Sequence, residues 1–273
     1  MIEIKDLSKT FEGHEVLQHL NLTLKTGETT VIIGRSGSGK SVLLKHIIGL
    51  MKPENGSVLI DGVDITKLTG PSLDELRKKF GMLFQGAALF DSMTVEENVG
   101  FPLREHTSMA EDAVRQRVQE CLSLVGLANI DDLRPAELSG GMRKRVGLAR
   151  ALVMNPEIIL YDEPTTGIDP IMADIINGLI IALRDRLKMT SVVVTHDMVS
   201  AYKVADRIAM LYNGTIVEVG TPEEIRRSRN PVVQQFINGH AAGPIQEGLP
   251  DRRVLSRWPR AFWKSTGPRK DAA

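Results

Sequence analysis

Cysteine is almost missing from this 273-residue chain. Cys121 stands alone, which precludes an intrachain disulfide, fits a reducing compartment, and reads as a small apolar residue on a helix face. Net charge is missing too. Its 34 Lys and Arg balance 34 Asp and Glu, so the whole molecule makes no electrostatic case for nucleic-acid binding. No stretch reaches the roughly 18 uninterrupted apolar residues of a membrane span. The nearest candidate, IMADIINGLIIAL, is broken by Asp174 and Asn177. The opening MIEIKDLSKTF lacks the basic-then-apolar layout of a secretory signal. The expectation is a cytosolic chain whose membrane association, if any, comes through a partner or its surface. Its length suits one substantial domain with a subdomain, or two small ones.

What is present is an alternation of apolar strands and helical stretches. Ile2 and Ile4, then Leu20, Leu22 and Leu24, alternate as half-buried strands do. TTVIIG is a β-branched run expected to be buried on both faces, and SVLIDG, KFGMLFQ, EIILYDEP, SVVVTH and DRIAMLY read as further strands. YNGTIVEV predicts a hairpin at Asn213-Gly214. Between about 92 and 155 the texture turns helical. Ser108 with Glu111 suggests a capping box, and Val114, Val118, Leu122 and Val125 share one face beyond it. In TPEEI, Thr221 is a candidate N-cap with Pro222 at the first helical position. The pattern predicts an α/β fold: a mostly parallel core, an antiparallel component and a helical subdomain. Residues 240–273 differ in composition, with seven Arg and Lys against three Asp and Glu and both tryptophans, Trp258 and Trp263. This tail is expected to be at most partly ordered, or to touch a dimer partner or a membrane.

GRSGSGKS fits G-x-x-x-x-G-K-[ST] at Gly34, Gly39, Lys40 and Ser41, between a predicted strand and a predicted helix. Glycines let backbone N–H groups face phosphate oxygens, and the helix start adds about half a positive charge. Lys40 is then expected at the β- and γ-phosphates of ATP, and the Ser41 hydroxyl on Mg²⁺. Asp162 and Glu163 leave an apolar strand where ligands sit in open α/β sheets. Asp162 is the candidate Mg²⁺ ligand and Glu163 the candidate base for the attacking water. As adjacent strand residues they are expected to point opposite ways. Gln85, with an amide able to reach Mg²⁺ or the water, and His196, able to reach the γ-phosphate, end two further strands. A second glycine pair opens a helix at LSGGMRKRVGLARAL, and the run Arg143-Lys144-Arg145 inside it reads as a solvated face.

The ordered set — phosphate loop, Gln85, LSGG, Asp162-Glu163, GIDP, His196 — resembles the nucleotide-binding domain of ABC ATPases over residues 1 to about 230. The resemblance implies a P-loop NTPase of ABC type with a RecA-like core, its domain spanning 1–239. It makes Gly34, Arg35, Ser36, Gly37, Ser38, Gly39, Lys40 and Ser41 the Walker A loop and Gln85 the Q-loop. Ser139, Gly140 and Gly141 become the signature, Asp162-Glu163 Walker B, Asp169 the D-loop and His196 the switch. Phe11 falls where the family stacks an aromatic on adenine, though packing is an equal reading. In this family two domains pair head to tail, each signature covering the partner's ATP, so a homodimer is the economical expectation and a heteromeric partner an alternative.

GAALFDSMTVEENVGFPLREHT, the Met after the signature glycines and FINGHAAGPI resemble the ATPase subunits of Mce/Mla-type lipid transporters. That implies a membrane permease, an Mce-type lipid-binding protein, phospholipid movement between membranes and a place on the cytoplasmic face of the inner membrane. Met82, Phe84, Leu89, Phe90, Met93 and Phe101 read either as core packing of the helical subdomain or as a groove for a permease's coupling helix, expected at Ala88–Met93. The alternatives are an importer ATPase for amino acids or another polar solute, and an ABC ATPase acting on DNA or the ribosome. The last is disfavoured because no heptad run, paired cysteines or second phosphate loop is present.

Overall fold

The computed structural model describes residues 1–246; Trp258, Trp263 and the rest of the tail from residue 247 onward lie outside the described residues. Residues 1–228 form one compact unit, and a second begins at Arg229.

The chain opens with β1 (Ile2–Phe11), β2 (His14–Leu24), β3 (Thr29–Ile33), α1 (Lys40–Ile47), β4 (Asn55–Ile60), β5 (Val63–Asp64), α2 (Pro71–Arg77) and β6 (Phe80–Leu83). Three helices follow: α3 (Val95–His106), α4 (Glu111–Leu124) and α5 (Gly140–Leu152). The unit then returns to β7 (Ile158–Asp162), α6 (Pro170–Leu187), β8 (Thr190–Thr195), α7 (Met198–Val204), β9 (Arg207–Tyr212), β10 (Thr215–Gly220) and α8 (Pro222–Arg226).

Two sheets result. One is antiparallel in the order β2-β1-β4-β5, and the other runs β10-β9-β3-β8-β7-β6. In the second, β9, β3, β8, β7 and β6 are mutually parallel and only β10 is antiparallel. Every residue of β3, β7 and β8 is buried, as a parallel sheet covered on both faces requires. The consequence for function is placement: β3, β6, β7 and β8 all end on one edge, so their exits can share a site.

The β9–β10 turn is the expected Asn213-Gly214 pair, with φ of 47° and 75°. Its Gly214 carbonyl accepts from the Gln18 N–H at 2.9 Å, stitching the antiparallel sheet to the parallel one. A side chain at Gly214 would meet the Val16 carbonyl at 3.0 Å.

Val114, Val118 and Leu122 are buried on α4, with Val125 just beyond it. Cys121 is buried beside them, and burial pushes its thiol up to about 11, which leaves it unreactive. The Ser108–Glu111 capping box does not form. α4 starts at Glu111 with Ala110 as N-cap, which puts Ser108 outside the reach of its first amides. Capping boxes form instead at Thr94–Glu97 and at Thr221–Glu224.

The second unit holds α9 (Pro231–Asn238), ended by Gly239 at φ 64°. Its Gln235 amide bonds the His240 and Ile245 carbonyls and accepts from the Ile245 N–H, folding the FINGHAAGPI segment back on the helix.

Candidate active site

The loop between β3 and α1 turns tightly at three positions that favour glycine. At Gly34 a Cβ would lie 2.5 Å from the Leu211 carbonyl oxygen, while Gly37 and Gly39 have φ of 78° and 98°. Gly39 is the N-cap of α1, so the helix start opens into the loop. Lys40 folds back over it, its ammonium donating to the Gly34 and Arg35 carbonyls at 2.7 and 2.9 Å. Burial holds that ammonium below its ordinary value, opposed chiefly by Glu163. Ser41 donates its hydroxyl to Asp162 Oδ1 at 2.8 Å. The Asp162 carboxyl is raised by burial, with Ser41 and Lys40 pulling the other way and Glu163 adding to the rise.

Asp162 is the last residue of β7, and Glu163 lies outside the strand with a left-handed φ of 48°. The expected opposition of the two carboxylates therefore fails: side-chain alternation ends with the strand, and both groups reach the phosphate-loop side. The Glu163 carboxylate accepts from Thr195 Oγ1 at 3.2 Å and Thr166 Oγ1 at 3.1 Å, and lies 3.0 Å from His196 Nδ1. It stands 3.7 Å from the Lys40 ammonium. Gln85 and His196 sit just past their strands, which end at Leu83 and Thr195. A cavity of about 410 Å³ brings together Ser36, Gly37, Lys40, Ser41, Gln85, Glu163 and His196. A neighbouring one of about 530 Å³ is shared by Arg35, Ser38 and the Asn213-Gly214 turn.

Phe11 lines neither cavity. It is exposed at the β1–β2 turn with the Lys9 ammonium 5.4 Å from its ring centre. Ser139, Gly140 and Gly141 also stand apart from the Lys40 cavity. Ser139 is the exposed N-cap of α5, its hydroxyl accepting from the Met142 N–H at 3.2 Å. Gly141 is close-packed, since a Cβ there would lie 2.4 Å from Met172 Cγ on α6. Asp169, exposed, caps α6 by accepting from the Ile171 and Met172 amides, both at 3.0 Å.

The basic run after the signature is not a uniformly solvated face. Arg143 is exposed, but Lys144 is only 5% exposed and donates to the carbonyls of Gln85 and Glu163. A signal existed: Lys144 shares a helical stripe with Gly141, Gly147, Leu148 and Ala151, all buried. Thr166 and Thr195 likewise stand outside the sequence motifs, although Thr195 ends the same apolar run that precedes His196.

The site is a cationic glycine loop facing a buried acidic pair, chemistry suited to binding and cutting a phosphate anhydride. The ABC transporter family profile matches residues 17–166. A "probable ribonucleotide transport ATP-binding protein mkl" of Mycobacterium leprae is 46% identical over 89% of this chain and 70% of its own length. The "intermembrane phospholipid transport system ATP-binding protein MlaF" of Haemophilus influenzae is 42% identical over 92% of this chain and 95% of its own. A dimeric ATP-binding cassette solved in a post-hydrolysis state with ADP and Pi superposes with a TM-score of 0.76 at 36% identity, covering 81% of this chain and 99% of that one. This chain belongs to the ABC transporter family, as one of its ATP-hydrolysing subunits.

Proposed function

We propose that the chain powers an Mce/Mla-type phospholipid transporter as a head-to-tail dimer. It would sit on the cytoplasmic face of the inner membrane beneath an integral permease, with an Mce-type lipid-binding protein as further partner. Residues 1–239 are the nucleotide-binding domain in this reading, with 92–155 its helical part.

The observation that carries the catalytic assignment is the clamping of Glu163 by Thr195, Thr166 and His196 beside Lys40. Gly34–Ser41 wrap the phosphates, and Lys40 pairs with the β/γ end. Ser41, Asp162 and Gln85 form an oxygen-only donor set, and the first two already meet through one hydrogen bond. Such a set suits Mg²⁺, which takes one or two protein oxygens plus phosphates rather than a full protein cage. When bound, Mg²⁺ neutralises charge on the transferring phosphoryl group. Glu163 takes the proton of the attacking water, and His196 orients Glu163 and reaches the γ-phosphate. Phe11, exposed at the β1–β2 turn, is offered to adenine.

Two facts support completion of the site by a second copy. Ser139 and Gly140 do not line their own chain's loop cavity, and the structural relative bound to ADP and Pi is dimeric. Ser139, Gly140, Gly141 and Asp169 would then close on the partner's ATP. Full-rate hydrolysis by a strictly monomeric preparation, with Ser139 replaceable at no cost, would overturn this.

Support for the permease groove comes from an apolar cavity of about 630 Å³ between core and helical subdomain, lined by Leu50, Met82, Phe84, Ala88, Phe90 and Phe101. The rings of Phe90 and Phe101 meet at 5.0 Å, and buried Asn98 holds the loop by bonding Phe90, Met93 and Thr94. The phospholipid assignment rests on the Haemophilus relative and on the loop after Gln85, while the Mycobacterium relative's name offers ribonucleotide as the rival. Purification from membranes with its permease, followed by identification of the co-eluting small molecules, decides. Phospholipid is the expected outcome; a nucleotide or amino acid cargo overturns the lipid reading and leaves the ATPase intact.

A further inference from the structure

We infer that Lys144 is a positioning residue that ties the placement of the Glu163 base to the signature helix α5. The inference rests on the proposed role of Glu163.

Lys144 lies five residues beyond Ser139, about 7–8 Å along the helix axis. Its buried ammonium joins two strand exits, donating to the Gln85 carbonyl after β6 and to the Glu163 carbonyl after β7 at 3.1 Å. Glu163 and Asp162 are the acidic groups near it, yet both of its hydrogen bonds go to backbone rather than carboxylate. Removing a cation from water for two carbonyls is costly, and a neutral apolar side chain would fill the same space more cheaply. What the ammonium adds is geometry.

That geometry is needed where it acts. Glu163 holds a left-handed backbone at φ 48°, as do Ala87 at 62° and Ala88 at 48° in the loop after Gln85. For residues with a Cβ, such conformations persist only where the surroundings over-determine them. At Glu163 the restraints are its N–H to the Val194 carbonyl at 3.0 Å and its carbonyl, which accepts from Lys144 at 3.1 Å and from the Thr166 N–H at 3.3 Å. At Ala87 and Ala88 the carbonyls accept from Arg150, at 2.7 and 2.8 Å. Both cations belong to α5. A shift of α5 when a partner's nucleotide meets Ser139 is therefore transmitted to the chain's own base and to Gln85, through a rigid helix and one ammonium.

The test uses the full-length chain carrying Lys144→Met or Lys144→Arg, with kcat, half-saturating ATP and ATP-driven dimerisation measured, the last in a Glu163→Gln background. Misplacing a reacting group by about 1 Å costs about a hundredfold, so Lys144→Met should lower kcat by about that factor. Half-saturation should move less than about threefold, the split expected of an interaction that matters only at the chemical step. Lys144→Arg should recover most of the turnover, and ATP should dimerise the double variant as it does Glu163→Gln alone. Should Lys144→Met fail to fold, Lys144→Gln is judged by the same kcat criterion. The inference is overturned if the neutral variant turns over within about twofold of the parent. It is equally overturned if dimerisation falls in step with kcat and arginine rescues neither. Normal turnover by Glu163→Gln would instead sink the assignment of the base itself.

Discussion

The Lys40 ammonium and the Glu163 carboxylate face each other across 3.7 Å, although they lie far apart in the chain. The lysine is already committed to two loop carbonyls, so it braces the loop as well as offering charge to a phosphate. Lys40→Ala should therefore weaken ATP binding itself. The loss of charged hydrogen bonds worth about 1.5–3 kcal/mol corresponds to roughly ten- to hundredfold in Kd. Titration with a fluorescent ATP analogue checks this, and unchanged affinity contradicts it.

Glu163→Gln separates chemistry from binding. A positioned base contributes about 10²–10⁴ in rate, or some 3–5 kcal/mol of barrier. The amide can still accept from Thr195 and Thr166, so the fold and ATP binding should survive. Phosphate release should almost stop while ATP-driven dimerisation persists.

The site's two kinds of feature differ in how openly the chain displays them. Gly34–Ser41 and the strand before it are contiguous, so their spacing alone announces a phosphate loop. Asn213-Gly214 announces its hairpin for the same reason. Lys144 does not, because its burial depends on β6 and β7, whose exits at Gln85 and Glu163 are far away in sequence. Glu163 misleads locally: an acidic pair after an apolar run looks like two strand residues, and contacts with Val194, Thr166 and Lys144 hold the second in a left-handed turn. Ser108 misleads in the opposite direction, a plausible cap residue that the helix start at Glu111 leaves outside.

The signature glycines should not be equivalent. Gly141→Ala places a methyl group 2.4 Å from Met172 Cγ, so overpacking should cost about 1–3 kcal/mol of stability. Gly140→Ala meets nothing closer than 3.6 Å and should melt like the parent. Denaturant unfolding of both variants tests the contrast, and Met172→Ala should relieve Gly141→Ala in a double-mutant cycle.

His46 predicts acid sensitivity. It is buried on α1 with Nδ1 2.8 Å from the Val42 carbonyl, and burial holds its pKa below the ordinary 6.5. The Lys9 charge nearby lowers it further, while the backbone at Val42 and Lys52 and the Glu54 charge oppose. The unfolded chain therefore takes up a proton first as pH drops, so this contribution is full above about 6.5 and is lost below it, down to the folded pKa. Urea midpoints at pH 7.5 and 5.5 should differ more for the parent than for His46→Gln; parallel shifts would show that His46 is not responsible.

The stitching of Gly214 to Gln18 also bears on how the protein can be handled. A two-residue hairpin tip is where an epitope or fluorophore would ordinarily be inserted. Here that tip borders Arg35–Ser38, and its carbonyl fastens one sheet to the other, so an insertion would loosen the nucleotide cradle.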